Sequence, residues 1–190
     1  MTRETPQPPR EPPARARERV PSRVLVHTGD GKGKTSAAMG IVMRAAARDW
    51  RVCVVQFVKD GRWRTGEEAS ARKLGVEWWS IGGGFTWDST DMDRTQAIAR
   101  AAWGAAGDLI RAGEHELVVL DEITYPINWG WIDGDEVVET IRGRPPQVNV
   151  VATGRDAPEA LRAMADTVTE MTSVKHAFDD GIGAMRGIEY

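Results

Sequence analysis

The feature that most constrains this chain is a loop rich in glycine and lysine that follows a short apolar run. The loop lies in HTGDGKGKTSAA, residues 27–38, which begins at the last residue of the apolar run RVLVH. Glycines let consecutive backbone N–H groups point at one anion, and the N-terminus of a following helix adds partial positive charge. The pattern therefore predicts a strand, a phosphate-binding loop and a helix in that order.

The loop matches the Walker A pattern GxxxxGK[ST] strictly in its second half and loosely at its start. Gly33, Lys34 and Thr35 are in register, whereas Thr28 stands at the first glycine position. Lys34 is predicted to neutralise phosphate charge, and Lys32 is either a second phosphate contact or a solvated loop lysine. The residues predicted to bind the nucleotide are Gly29, Asp30, Gly31, Lys32, Gly33, Lys34, Thr35 and Ser36.

A second motif supplies carboxylates for a metal ion. The apolar run in LVVLDE ends in Asp121 and Glu122 and resembles a Walker B strand. Carboxylates at strand ends also cap helices, but beside a phosphate loop we favour metal binding. Thr35 and Glu122 are the predicted ligands of Mg²⁺, with Mn²⁺ as the alternative, and Lys34 and Glu122 are the candidate catalytic residues.

Apolar runs with strand character alternate with segments of helical period along the chain after residue 22. The strand-like runs are RVLVH, RVCVVQFV, VEWWSI, ELVVLDE and QVNVVATG. Such alternation predicts an α/β fold with three layers and a mostly parallel, doubly wound sheet, whose ligands bind beyond the carboxyl ends of the strands.

The N-terminal segment differs in composition from the rest of the chain. Residues 1–22 hold six of the ten prolines and five arginines, with little that a core could bury. We interpret residues 1–22 as a disordered leader and residues 23–190 as one domain.

Composition limits the compartment and the partners. The single cysteine, Cys53, lies in an apolar run and favours a core position and a reducing compartment. No run approaches a membrane span of about 18 apolar residues, and no secretory signal is evident, so we expect a cytoplasmic protein without a membrane partner. With a net charge of −3 and scattered basic residues, we expect no nucleic-acid partner.

Three further residues follow the predicted strands and leave two interpretations each, and a fourth, His176, lies in the C-terminal stretch VKHAFDDG. Tyr125 and Trp131 either line the site or pack in the core. Arg155 suits a phosphate or a carboxylate of a substrate, and equally a structural ion pair. His176 has no metal-ligand companions, so we assign it no catalytic role.

The phosphate loop alone does not choose between kinases, ATPase motors and GTPases. Five other segments distinguish between these classes when they are taken together with the loop. In chain order they are VVQFVKDGRWRTGEE, GGGFTWDSTD, VVLDEITYPINWGWID, VVATGRDAPEAL and ADTVTEMTSVKHAFDDGIGAMRGIEY. In this order they resemble the P-loop ATP:corrinoid adenosyltransferases, from about residue 23 to residue 190. The resemblance implies a RecA-like P-loop fold.

The resemblance also implies a reaction and two substrates. A cob(I) cobalt of a corrinoid attacks the 5′-carbon of ATP and expels triphosphate, in adenosylcobalamin biosynthesis or salvage. Phe85 and Trp87 match aromatic residues that contact the lower face of the corrin, and ATP lies reversed relative to other P-loop enzymes. Family members commonly carry Asn where this chain has Asp30, which leaves open whether Asp30 contacts phosphate.

The family resemblance further implies a homodimer and a flavoprotein that reduces the corrinoid. Two alternatives remain at this stage. One is a RecA-like P-loop ATPase in which Glu122 positions water and the products are ADP and phosphate. The other is a corrinoid carrier without catalytic activity. The preferred corrinoid (cobalamin, cobinamide or cobyrinic acid a,c-diamide) is not determined by the sequence.

Overall fold

Parallel β-strands form the centre of the protein. The computed structural model describes residues 19–59, 65–81 and 92–189. In this part of the chain a six-stranded sheet has the order β3-β2-β4-β5-β1-β6, and every neighbouring pair is parallel. The strands are β1 Val24–Thr28, β2 Val52–Gln56, β3 Glu77–Ser80, β4 Leu117–Asp121, β5 Asn149–Thr153 and β6 Thr167–Glu170.

Helices connect the strands, and two of them begin at a capping side chain. Thr65 accepts a hydrogen bond from the N–H of Glu68, and Asp133 accepts from the N–H groups of Asp135 and Glu136. The helices are α1 Lys34–Ala46, α2 Gly66–Lys73, α3 Met92–Ala112, α4 Thr124–Asn128, α5 Gly134–Arg142 and α6 Glu159–Met164, followed by a 3-10 helix, Ala177–Asp180.

The sheet is covered on both faces, as strand β4 illustrates. All five of its residues are buried. Leu117 and Val119 belong to the apolar cluster that contains residues of α1 and α2, whereas Val118 and Leu120 belong to the cluster that contains residues of α3, α5 and α6. Alternate side chains of one strand therefore enter opposite cores. The predicted three-layer α/β architecture with a doubly wound parallel sheet is confirmed.

Besides the 3-10 helix, a strand and a helix of the structure were not predicted. All four residues of β6 are exposed, so the strand lacks an apolar run and is held by its pairing with β1. Helix α4 has only five residues and contains Pro126 in TYPIN, which hides it from a search for helical periodicity. Both elements lie next to the phosphate loop or the end of β4, and both therefore matter for the site.

The first described residues join the domain at Ser22. Its side-chain hydroxyl accepts a hydrogen bond from Arg144, at 3.2 Å. Residues 1–18 of the predicted leader lie outside the described residues. In the described ranges, no helix combines the length and the hydropathy needed to cross a bilayer.

Packing of α3 onto the sheet gives a test of the fold. Ile110 in α3 is fully buried, whereas Met43 in α1 is 62% exposed. We predict that Ile110→Ala lowers the free energy of unfolding by about 2–5 kcal/mol, because it leaves a cavity in the core. The matched variant Met43→Ala should change it by less than about 0.5 kcal/mol. Urea unfolding followed by circular dichroism measures both, and equal losses would contradict this packing.

Candidate phosphate and metal site

Buried polar residues end four neighbouring strands of the sheet. Gln56 ends β2, Asp121 ends β4, Thr153 ends β5 and Thr28 ends β1, and each is no more than 2% exposed. The spatial order of these strands is β2-β4-β5-β1. The carboxyl edge of the sheet therefore carries a row of polar groups in an otherwise apolar interior, where a doubly wound fold binds its ligands.

The phosphate loop curls around the side chain of Lys34. Its Nζ donates hydrogen bonds to the carbonyl oxygens of Gly29 and Gly31, both at 2.7 Å. Burial is the main cause that lowers the pKa of Lys34, and the charge of Arg155 acts in the same direction. The two hydrogen bonds hold the ammonium group of Lys34 inside the loop, and its predicted role in neutralising phosphate charge stays a prediction.

The other predicted loop residues differ in their exposure to solvent. Gly33 has φ +108° at the start of α1, a conformation that favours glycine. Gly31 is buried, whereas Asp30, Lys32 and Ser36 are exposed. The structure thus places the side chains of these three polar residues on the solvent side of the loop.

Two loop glycines are required by a segment that follows β6. The N–H of Gly31 donates to the carbonyl oxygen of Met171 at 2.7 Å, and the N–H of Met171 donates to the carbonyl oxygen of Thr28 at 2.8 Å. A Cβ on Gly29 would lie 2.4 Å from the Met171 oxygen, and one on Gly31 would lie 2.7 Å from the backbone of Thr172. Backbone just after β6 therefore supports the loop directly, a contact that no sequence pattern indicates.

Thr35 joins the phosphate loop to the end of β4. Its hydroxyl donates to Oδ1 of Asp121 at 2.9 Å. The same oxygen accepts from Thr153 at 2.8 Å, and Oδ2 accepts from Gln56 at 3.0 Å. The sequence predicted Thr35 and Glu122 as the metal ligands, but the carboxylate that contacts Thr35 is that of Asp121.

Glu122 lies beside Asp121 in a strained and partly desolvated position. Its φ is +63°, and its N–H donates to the hydroxyl of Thr153 at 2.9 Å. The Oε2 atom is buried and has no hydrogen-bond partner among the described residues. Burial and then the charge of Asp121 raise the pKa of Glu122 to about 7, against the opposing charges of Lys59 and Lys34. An orphaned carboxylate oxygen here fits a site completed by a cation.

The donor set suits Mg²⁺ better than a softer ion. A threonine hydroxyl and two carboxylates are hard oxygen donors, and Mg²⁺ is commonly held by one or two carboxylates together with substrate phosphates. The described ranges contain no group of three or more His, Cys, Asp and Glu side chains placed to hold a metal. The chain's own residues therefore fit a metal that is bound together with a phosphate ligand.

A cleft of about 510 Å³ separates the outer side of the phosphate loop from the C-terminal segment. Lys32 forms an ion pair across it, from Nζ to Oε1 of Glu189 at 2.7 Å. Arg155 and His176 also line the cleft. Arg155 donates weakly to the carbonyl oxygen of Asp30 at 3.5 Å, and the ring of His176 accepts from the N–H of Phe178.

The remaining predicted residues are only partly brought to this site. Tyr125 stacks on Trp129, with ring centroids 5.6 Å apart. The ring centroids of Trp129 and Trp131 are 4.7 Å apart. Burial raises the pKa of Tyr125, and the charge of the nearby Glu122 adds to this shift. Phe85 and Trp87, predicted to contact a corrin, lie outside the described residues.

Sequence reasoning missed the residues that support Asp121. Gln56 and Thr153 both contact its carboxylate, and each interrupts or ends an apolar strand. A polar residue at the carboxyl end of a buried strand is the signal that finds both. Thr153 also bonds Glu122, so one hydroxyl links the two neighbouring carboxylate residues.

The contact between the loop and the Met171 backbone gives a stability prediction. Gly29 has φ +93° and no room for a Cβ, whereas a Cβ on Gly104, within α3, would meet nothing within 4 Å. Gly29→Ala should lower the free energy of unfolding by about 1–3 kcal/mol, because the loop or the Met171 segment must move. Gly104→Ala should raise it by about 0.5–1 kcal/mol. Thermal unfolding distinguishes them, and a neutral Gly29→Ala would contradict the contact.

The raised pKa of Glu122 predicts a pH-dependent stability. The unfolded chain releases this proton near the ordinary pKa of 4.5, whereas the folded chain keeps it until about pH 7. Ionisation therefore destabilises the fold as pH rises from 4.5 to 7, and the loss is complete above that range.

We therefore predict that Glu122→Gln stabilises the protein at pH 8, by at most about 3 kcal/mol, with no gain at pH 4. Urea unfolding without nucleotide or divalent cation measures this difference. Glu114→Gln, at an exposed position, is the control and should show no such pH dependence. If Glu122→Gln raised the free energy of unfolding equally at both pH values, the raised pKa of Glu122 would be refuted.

Comparison with known proteins identifies the family. The family described as ATP:corrinoid adenosyltransferase BtuR/CobO/CobP matches residues 21–190. A corrinoid adenosyltransferase of Pseudomonas aeruginosa is 46% identical over 169 residues, which cover 88% of this chain and 83% of that protein. Corrinoid adenosyltransferases of Escherichia coli K12 and Salmonella typhimurium are 40% and 38% identical over 167 residues, covering 88% of this chain and 85% of each relative. This chain belongs to the ATP:corrinoid adenosyltransferase BtuR/CobO/CobP family.

Proposed function

We propose that this protein transfers the 5′-deoxyadenosyl group of ATP to the cobalt of a reduced corrinoid and releases triphosphate. The observation that carries the proposal is the phosphate loop, closed around Lys34 and joined to Asp121 through Thr35, in a chain of this family. The corrinoid is cobalamin, cobinamide or cobyrinic acid a,c-diamide, and the reaction belongs to adenosylcobalamin biosynthesis or salvage.

The proposed reaction needs orientation and charge stabilisation rather than proton transfer. The electron pair of the cob(I) cobalt forms a bond to the 5′-carbon of ATP, and the bond between that carbon and its oxygen breaks. The bonding pair leaves on the triphosphate oxygen, so cobalt goes from the +1 to the +3 state and no proton is removed. The protein must hold the 5′-carbon in line with the cobalt and stabilise the leaving charge.

The phosphate loop provides the stabilisation. Backbone N–H groups of the loop would bind the triphosphate, apart from that of Gly31, which donates to Met171, and Lys34 adds a positive charge. The two carbonyl oxygens that accept hydrogen bonds from Lys34 keep its ammonium group aimed into the loop.

Thr35 and Glu122 would hold Mg²⁺, or Mn²⁺, at the end of β4. The cation would supply Lewis-acid stabilisation to the triphosphate oxygens. Asp121 accepts the hydrogen bond of the Thr35 hydroxyl and so leaves an oxygen lone pair of Thr35 for the cation. Glu122 adds a buried carboxylate oxygen that has no hydrogen-bond partner among the described residues.

The remaining features of the proposal rest on family resemblance. Phe85 and Trp87 are proposed to contact the lower face of the corrin, and ATP is proposed to bind reversed relative to other P-loop enzymes. A flavoprotein is the proposed reductant, and a homodimer in the cytoplasm is the proposed working form.

ATP hydrolysis is the alternative that shares this geometry. A Thr35–Asp121 contact beside Glu122 would also suit a P-loop ATPase in which Glu122 positions water. Family membership favours adenosyl transfer. The two reactions differ in the bond of ATP that breaks, so their products separate them.

We predict that anaerobic incubation with ATP, Mg²⁺ and chemically reduced corrinoid gives an alkyl-cobalt spectrum and one triphosphate for each cobalt alkylated. Lys34→Met should lower the rate by at least about 100-fold, because a charge aimed at the leaving group is lost. The control Lys73→Met, at an exposed position near the end of α2, should keep the rate. ADP and phosphate as the only products, without alkyl-cobalt, would contradict the proposal.

A further inference from the structure

Gln56 is a polar residue in a place that favours apolar ones. It ends β2, in which all five residues of VCVVQ are buried, and it is itself 2% exposed. Burying an amide without hydrogen bonds is unfavourable by several kcal/mol in an apolar medium. The side chain of Gln56 must therefore have a polar partner, and that partner indicates its role.

The partner is the carboxylate at the site. Gln56 is aligned with Asp121 across the parallel pair of β2 and β4, and its Nε2 donates to Oδ2 of Asp121 at 3.0 Å. The other carboxylate oxygen, Oδ1, accepts from Thr35 and Thr153. Among the described residues, Gln56 is therefore the side-chain donor to Oδ2, and it donates from β2, on the other side of β4 from β5.

This arrangement fixes the rotation of the carboxylate. An amide N–H group can only donate, so Gln56 holds Oδ2 toward β2. Thr153 restrains Oδ1 from β5, and Oδ1 is then left in position to accept from the hydroxyl of Thr35. Without Gln56 the carboxylate would lose its restraint on one side and could turn away from Thr35.

We propose that Gln56 is a positioning residue: by fixing Oδ2 of Asp121 it directs the Thr35 hydroxyl toward the divalent cation that accompanies the triphosphate. This inference rests on the proposed function, in which Thr35 is a metal ligand. Gln56 acts through Asp121 and is assigned no contact with ATP or corrinoid.

The inference predicts a specific loss, in the cation-dependent part of nucleotide binding. The probe is the β,γ-imido analogue of ATP, bound to the full-length protein with and without Mg²⁺ and measured by titration calorimetry. The variants are Gln56→Met, which fills the same space without the amide, and Gln56→Asn, which keeps an amide with a shorter reach. The control is Val54→Ala, which loosens the core on the same strand without touching Asp121.

For both Gln56 variants we expect the gain in affinity on adding Mg²⁺ to fall at least fivefold, about 1 kcal/mol. The affinity without Mg²⁺ should stay within about twofold of the wild type. Val54→Ala should keep the wild-type gain. Equal losses with and without Mg²⁺, or an unchanged gain, would overturn the inference, and Gln56→Asn carries the test if Gln56→Met does not fold.

A double-mutant cycle tests whether Gln56 acts through Asp121. In the background of Asp121→Asn, adding Gln56→Met should have no further effect on the Mg²⁺-dependent gain. Additive losses would overturn the proposed route. A wild-type protein that binds the analogue without any gain from Mg²⁺ would refute the metal site of the proposed function, whereas a gain that survives Gln56→Met refutes only the role of Gln56.

Discussion

The buried carboxylate of Asp121 is the interaction on which the site depends. It accepts hydrogen bonds of 2.8–3.0 Å from Thr35, Thr153 and Gln56, which belong to α1, β5 and β2. These donors come from elements that are far apart in sequence and meet only because the sheet order places β4 between β2 and β5. A wholly buried carboxylate without such donors would be strongly unfavourable, so the fold and the site stabilise each other.

A second set of contacts shapes the phosphate loop from outside. Backbone of the segment after β6 approaches Gly29 and Gly31 so closely that neither position has room for a Cβ. Beyond this segment, Glu189 pairs with Lys32 across the cleft. The C-terminal part of the chain therefore lines the cleft beside the phosphate loop, although its own residues are mostly exposed.

Much of the fold could be predicted from the sequence because its signals are local. Apolar runs such as LVVLD in β4 and the glycine-lysine loop before α1 each specify their own structure. Strand β6 could not be predicted in this way, since its residues are exposed and pairing with β1 is what holds it. Lys34 and Thr35 begin α1 directly after the loop, whereas the contact of Thr35 with Asp121 depends on strand order, which periodicity does not encode.

The central claim is that triphosphate leaves as one unit when the 5′-carbon of ATP is transferred to cobalt. The most direct measurement uses ATP with ¹⁸O in the oxygen that joins the 5′-carbon to the α-phosphorus, and follows the label by mass spectrometry. The account predicts that all of the label appears in triphosphate and that none remains with the adenosyl group on cobalt. Label that stays with the nucleoside, or appears in ADP, would contradict it.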